Sequence, residues 1–148
     1  MAAATTPTTK TPWHLWVIGV VSLLWNAVGA LDFTMTQTHN EAYMGQFTPE
    51  QLEYYYSIPL WVVIPWGIAT WGSLAGSVLL LLRKKLAVLV NLVVLVALAV
   101  TFFHNFVLSD GLKVMGGAGA LIFTAVIVIV AVLLWVYARA MARRGVLR

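Results

Sequence analysis

The sequence predicts an all-α integral membrane protein, an antiparallel four-helix bundle with a short interfacial helix in its first external loop. Of its 148 residues, 61% are hydrophobic and only 9% are charged, whereas soluble domains are about half apolar and about a quarter charged. Four apolar stretches are each long enough for a helix to cross a hydrocarbon core of about 30 Å. Almost all the cations gather at one end of these stretches. Together these features indicate a multi-pass membrane protein.

The predicted organisation is a single transmembrane domain between two tails. Residues 1–12 are mostly Ala, Thr and Pro, a composition that buries too little apolar surface to order the chain, and they predict a flexible cytoplasmic tail. Residues 139–148 are expected to form a basic cytoplasmic tail. The domain between them, 13–138, is expected to contain spans 13–33, 58–82, 86–108 and 114–138, with an external loop at 34–57.

The span 58–82 fixes the orientation, because its uncharged apolar run ends in Arg83, Lys84 and Lys85. Of the nine cations, Lys113 alone falls on the side opposite the two termini. Loops rich in Lys and Arg stay in the cytoplasm, so both termini are expected there. All five acidic residues fall on the opposite, external side.

The external loop carries a helix-start signature. Thr48 is a favourable N-cap residue, Pro49 occupies the first helical position, and Gln51 lies three residues after the cap. This pattern predicts a short helix from Pro49 to Tyr56. Its three consecutive tyrosines are typical of the membrane interface, where aromatic residues are enriched.

Small and polar residues recur at helical spacing on each span, and the first span shows this at Gly19, Ser22, Asn26 and Gly29. Membrane helices associate through close packing of small residues and through hydrogen bonds. We therefore expect these stripes to face one another inside the bundle. The motifs Gly72-x-x-x-Gly76 and Gly116-x-x-x-Ala120 are interpreted as packing contacts within the chain, and a homodimer contact is the alternative.

Two asparagines at membrane depth form a candidate solute-binding site. Asn26 and Asn91 must each find a partner, because an unpaired amide in hydrocarbon costs several kcal/mol. One interpretation is a structural hydrogen bond to another helix. The other is a site for a small polar solute, such as a sugar, near the midplane, with Trp25 as a stacking surface.

A second candidate, an outer-face polar site, consists of Asp32, His104 and Asn105, which are expected at similar depth. No spacing places two metal ligands on one helical face, so no metal site is predicted. The chain has no cysteine and no nucleophile, nucleotide or cofactor motif, so neither an enzyme nor a cofactor is expected. Its cations are sorted to one side of a membrane, and nucleic acid is therefore not an expected partner.

Four segments carry a resemblance to known proteins: LLWNAVGALDFTMTQT, YMGQFTPEQLEYYYSIPLWVV, ATWGSLAGSVLLLLRKK and FFHNFVLSDGL. Together they resemble an uncharacterised family of small bacterial four-span inner-membrane proteins, which often carry the automatic label "sugar transporter". The resemblance covers the chain from Trp13 to Arg148. It implies a bacterial inner-membrane setting and transfers no individual binding or catalytic position.

Two functions follow from these features, and the lipid bilayer is a partner in both. The first is transport of a small polar solute by an oligomer, since four short helices alone hardly enclose a solvated path. Trp25, Asn26 and Asn91 motivate it. The alternative is a non-catalytic accessory or structural subunit, whose external helix docks on a larger membrane protein complex.

Overall fold

The computed structural model describes residues 9–148, whose regular structure is entirely helical. Four of the helices are long and apolar enough to cross a membrane, so the protein is a multi-pass membrane protein. The predicted all-α fold is confirmed. In chain order the helices are α1 (Trp13–Gln37), α2 (Glu41–Met44), α3 (Pro49–Tyr56), α4 (Leu60–Leu81), α5 (Leu86–Phe103), α6 (Gly111–Val114) and α7 (Ala118–Arg143). A π-helical turn, His104–Leu108, continues α5.

The four long helices pack in the order α1, α4, α5 and α7, with α4 between α1 and α5. Contacts between α1 and α4 run in opposite directions along the chain: Gly19 faces Leu81, and Gly29 faces Thr70. The predicted antiparallel four-helix bundle is therefore confirmed.

Glycines on α4 let α5 approach closely. A Cβ atom built on Gly72 would lie 3.0 Å from a Val94 methyl group, and one built on Gly76 would lie 3.0 Å from the Asn91 amide. Ordinary side chains rarely pack so tightly, so a residue larger than glycine would require the Val94 or Asn91 side chain to move. The motif Gly72-x-x-x-Gly76 thus packs within the chain, as predicted.

The second small-residue motif does not pack in this way. Gly116 and Gly117 have φ angles of 111° and 63°, a backbone region that glycine adopts without strain. Among the described residues, no atom lies within 4 Å of a Cβ built on either. The two glycines form the turn before α7, which begins at Ala118 and not at residue 114. The packing interpretation of Gly116-x-x-x-Ala120 is therefore wrong.

α1 continues to Gln37, past the predicted boundary at residue 33. Threonines usually compete with helix formation, because their hydroxyls bond nearby backbone groups. Here the hydroxyl of Thr34 donates to the Ala30 carbonyl at 2.8 Å, and that of Thr36 donates to the Asp32 carbonyl at 2.8 Å. Both bonds are made within the helix, so they do not interrupt its backbone hydrogen bonds, and α1 continues beyond the apolar run.

The segment predicted as a basic tail, 139–148, is instead packed against the bundle. α7 continues to Arg143, and the chain then turns back at Gly145, whose φ is 74°. Val146 and Leu147 are 3% and 0% exposed. They belong to one apolar cluster, which we call the basic-end cluster and which consists of Leu15, Leu80, Ala87, Ala138, Met141, Val146 and Leu147.

Backbone hydrogen bonds hold this returning segment in place. The Arg148 N–H donates to the Arg83 carbonyl at 2.7 Å, and the Lys85 N–H donates to the Arg148 carbonyl at 2.9 Å. The Arg83 guanidinium also donates to the Thr11 hydroxyl at 2.9 Å. Of the predicted flexible tail, 1–12, residues 1–8 lie outside the described part, and Thr11 is tied to the α4–α5 turn.

The predicted helix in the external loop is confirmed as α3. The Thr48 hydroxyl accepts a hydrogen bond from the Gln51 N–H, and the Gln51 side chain accepts one from the Thr48 N–H. Gln51 also donates to the Val114 carbonyl at 3.3 Å. α3 therefore reaches across the acidic end of the bundle, which carries Asp32 and the external loop.

We expect Leu147→Ala to lower the free energy of unfolding by about 2 kcal/mol or more, because it removes a fully buried side chain from the basic-end cluster. Leu133→Ala on α7 is the matched control, since Leu133 is 61% exposed. Denaturant titration in mild detergent measures both variants. Equal, small effects would contradict the packed position of the segment.

Candidate functional site

A partly enclosed cavity of about 520 Å³ lies between α1, α4, α5 and α7. Small-molecule sites are typically about 300 to 1,000 Å³. The cavity extends from the middle of the helices to the acidic end, beneath α2 and α3. Trp25, Asn26 and Asn91, the predicted solute-binding residues, all line it. The structure therefore brings this candidate set together.

Unequal helix spacing creates the cavity. Glycines bring α4 close to its neighbours, whereas large side chains link α1 and α7. The ring centroids of Trp25 and Phe123 are 6.3 Å apart, and nearer the basic end the His14 ring bonds the Tyr137 hydroxyl. Bulky contacts on one side and close contacts on the other leave space between the helices.

A chain of hydrogen bonds joins α1 to α4 at the inner end of the cavity. The Asn26 amide donates to the Ser73 carbonyl at 3.1 Å and to the Ser77 hydroxyl at 2.8 Å. Ser77 donates to the Ser22 hydroxyl at 3.0 Å, and Ser22 donates to the Gly19 carbonyl at 3.1 Å. Asn26 thus makes the interhelical bonds that its depth in the membrane requires.

The side-chain oxygens of both asparagines have no hydrogen-bond donor among the described residues. Asn91 donates to the Ala87 carbonyl of its own helix at 2.8 Å. Within residues 9–148, the hydrogen bonds of Asn26 and Asn91 use their amide nitrogens and not their Oδ1 atoms. The two residues are 8% and 6% exposed. A solute with hydroxyl or N–H donors would satisfy these buried acceptors.

Hydroxyl groups along the wall add further acceptors. Ser73 donates to the Ala69 carbonyl at 2.6 Å, and Thr101 donates to the Ala97 carbonyl at 2.9 Å. Each hydroxyl proton is used within its own helix, so the oxygen lone pairs remain for a ligand. The cavity wall therefore offers hydroxyl oxygens as acceptors, beside the indole N–H groups of Trp25 and Trp66 as donors.

The predicted outer-face set is divided between two places. Asp32 and Asn105 line the central cavity, whereas His104 lines a separate groove near α6. Asp32 accepts a hydrogen bond from the Tyr43 hydroxyl, and Asn105 accepts one from the Tyr54 hydroxyl at 3.0 Å. His104 Nδ1 also lies 3.2 Å from the Asn105 side-chain oxygen, so Asn105, which lines the cavity, connects the cavity to the groove of His104.

Sequence reasoning missed four aromatic side chains beside Asp32, which we call the aromatic wall: Tyr43, Phe47, Tyr55 and Trp66. Their successive ring centroids are 5.8, 5.3 and 6.4 Å apart, and all four residues line the cavity. The predicted position of the α3 tyrosines was the membrane interface. The signal in the sequence was the four-residue spacing of Tyr43 and Phe47, which is typical of two side chains on the same face of a helical segment.

The phenols of the aromatic wall stay protonated at physiological pH. Burial, followed by the charge of Asp32, raises the pKa of Tyr55 to about 12. Burial, followed by the hydrogen bond to Asp32, raises the pKa of Tyr43 well above its ordinary value. A protonated Tyr43 remains a donor to the carboxylate, and the wall itself is uncharged.

We expect Asn26→Leu and Ser77→Ala to show coupled effects on stability, because the two side chains bond each other between helices. Such bonds contribute about 0.6 kcal/mol on average and up to about 1.7 kcal/mol. A double-mutant cycle in mild detergent measures the coupling. Asn26→Leu combined with Thr101→Val is the control, since the Thr101 hydroxyl bonds its own helix. A coupling of zero between Asn26 and Ser77 would contradict the bond.

Comparisons with known proteins do not identify a family for this chain. No protein-family model, no curated protein and no solved structure matches the chain. The function must therefore be argued from the cavity and its residues.

Proposed function

We propose that the protein transports a small polar solute across the membrane and that the central cavity holds the solute. The observation that carries this proposal is the cavity of about 520 Å³ with two buried amides, Asn26 and Asn91, on its wall. Bundles without a ligand role fill their interiors with packed side chains. The resemblance to small four-span proteins labelled as sugar transporters agrees with this role.

The two ends of the bundle differ in a way that suits alternating access. The basic-end cluster closes one end with packed apolar side chains, and the cavity occupies the other half. In this conformation a solute would reach Asn26 from the acidic end. Release on the opposite side would require Val146 and Leu147 to leave the cluster. The backbone hydrogen bonds of Arg148 to Arg83 and Lys85 would also have to break.

The setting we propose is the bacterial inner membrane, with the basic end in the cytoplasm. Arg83, Lys84 and Lys85 lie between α4 and α5 at the basic end, and Lys and Arg favour cytoplasmic loops. The cavity then faces the periplasm. Transport as an oligomer fits the loose contact between α1 and α7, since a second copy could complete that side of the wall.

The alternative is an accessory subunit that docks on a larger complex through α3. Two of the three α3 tyrosines, Tyr54 and Tyr55, line the cavity, and only Tyr56 is strongly exposed at 45%. The helix therefore offers little aromatic surface to a partner. For this reason the cavity supports transport better than α3 supports docking.

We expect Thr124→Trp to abolish solute uptake, because Thr124 lines the cavity and an indole would fill much of it. Ile122→Trp on the same helix is the matched control, since Ile122 is 68% exposed and lies outside the lining. Uptake into proteoliposomes of a labelled panel of sugars, polyols and small amines measures both. Uptake unaffected by Thr124→Trp, or absent for the whole panel, would contradict the proposal.

Native mass spectrometry after mild solubilisation separates the two functions. Transport predicts that the chain is recovered alone or as copies of itself, with small molecules retained by the unaltered chain and lost from Thr124→Trp. Stoichiometric recovery of a larger protein complex, with no retained small molecule, would favour the accessory subunit.

A further inference from the structure

The cavity carries a single, uncompensated negative charge. Within the described residues, Asp32 is the only carboxylate on its wall, and the wall contains no Lys, Arg or His. The Tyr43 hydroxyl donates to this carboxylate, but a neutral phenol does not cancel its charge. A carboxylate on a largely apolar wall, with no cation beside it, attracts a positive group.

The aromatic wall adds a second feature that favours positive charge. Tyr43, Phe47, Tyr55 and Trp66 form a continuous series of rings next to Asp32. The face of an aromatic ring is electronegative, and several rings around one space form a cation–π site for ammonium groups. Because the Tyr55 phenol keeps its proton, any attraction of the wall for a cation comes from its aromatic rings and not from a phenolate.

Deeper in the cavity, the polar groups include several acceptors beside the indole N–H of Trp25 and the hydroxyl of Thr124. The Oδ1 atoms of Asn26 and Asn91 and the hydroxyl oxygens of Ser73 and Thr101 can all receive hydrogen bonds. A solute with a positive head and a hydroxyl or N–H donor would match the cavity along its length. An anion would meet a carboxylate, and a bare divalent metal would find no cluster of His, Asp or Glu among the described residues.

We propose that the solute is a small monovalent organic cation, an amine or a quaternary ammonium compound, whose charged head lies between Asp32 and the aromatic wall. This inference rests on the proposed function, since it assigns a substrate class to the same cavity. The polar end of the solute points toward Asn26 and Asn91. The charge of Asp32 thus selects the solute, and the amides orient it.

The test compares two probes of equal shape, choline and its uncharged isostere 3,3-dimethylbutan-1-ol, on the full-length chain in mild detergent. Isothermal titration calorimetry measures the affinity of each. We expect choline to bind about tenfold or more tightly than the isostere, because only choline carries the charge. Asp32→Asn should weaken the binding of choline by a similar factor and leave the affinity for the isostere unchanged.

Two variants control for indirect effects. Asp32→Glu keeps the charge and should retain part of the preference for choline. Asp110→Asn removes a carboxylate at the same end of the bundle, but Asp110 does not line the central cavity, so this variant should bind choline as the unaltered chain does. Melting temperatures of all variants in the same detergent confirm that each is folded.

Each outcome bears on one proposal or the other. Equal affinity for the two probes, or choline binding unaffected by Asp32→Asn, would overturn the cation assignment. Binding of an uncharged sugar without binding of choline would overturn it as well, while leaving the transport proposal standing. Transport itself fails on a different readout, the Thr124→Trp comparison.

Discussion

The close approach of α4 to α1 and α5 determines how the four long helices pack. Lipid supplies no hydrophobic force between helices, so their association relies on tight packing and hydrogen bonds. Gly72 and Gly76 on α4 let α5 pack closely, and the Asn26 amide on α1 donates a hydrogen bond to α4. α7 contacts α5 but reaches α1 through large side chains. Three helices are thereby held tightly, and the space beside the fourth becomes the cavity.

The two ends of the bundle have different structures: the basic end is packed, and the acidic end encloses the cavity. At the basic end, Leu15, Leu147 and their neighbours fill the interior, and backbone bonds fix the returning segment. At the acidic end, the same helices enclose a space lined by aromatic rings, amides and one carboxylate. A packed closure opposite a cavity is the asymmetry expected of one state in an alternating-access cycle. The proposed transport follows from this division rather than from any single residue.

Local signals in the sequence predicted much of the fold. The features that the sequence did not predict depend on contacts between residues far apart in the chain. The helix start at Thr48 depends on residues within one turn, and it is confirmed. Helical spacing placed Asn26 and Asn91 on inward faces, and both line the cavity. The burial of Leu147 depends on a turn after α7, which composition alone does not specify. The aromatic wall likewise required the folded loop to bring Tyr55 beside α4.

Transport as proposed requires that the cavity be accessible from the acidic end and closed at the basic end. Side-specific labelling measures this access, because the chain has no cysteine and a single introduced one is a unique reporter. With Ser73→Cys in oriented vesicles, we expect reaction with a membrane-impermeant thiol reagent added at the acidic end and protection from the same reagent at the basic end. Lipid-facing Ile68→Cys should react from neither side. Labelling of Ser73→Cys from the basic end, or no faster than Ile68→Cys from the acidic end, would contradict the proposed direction of access.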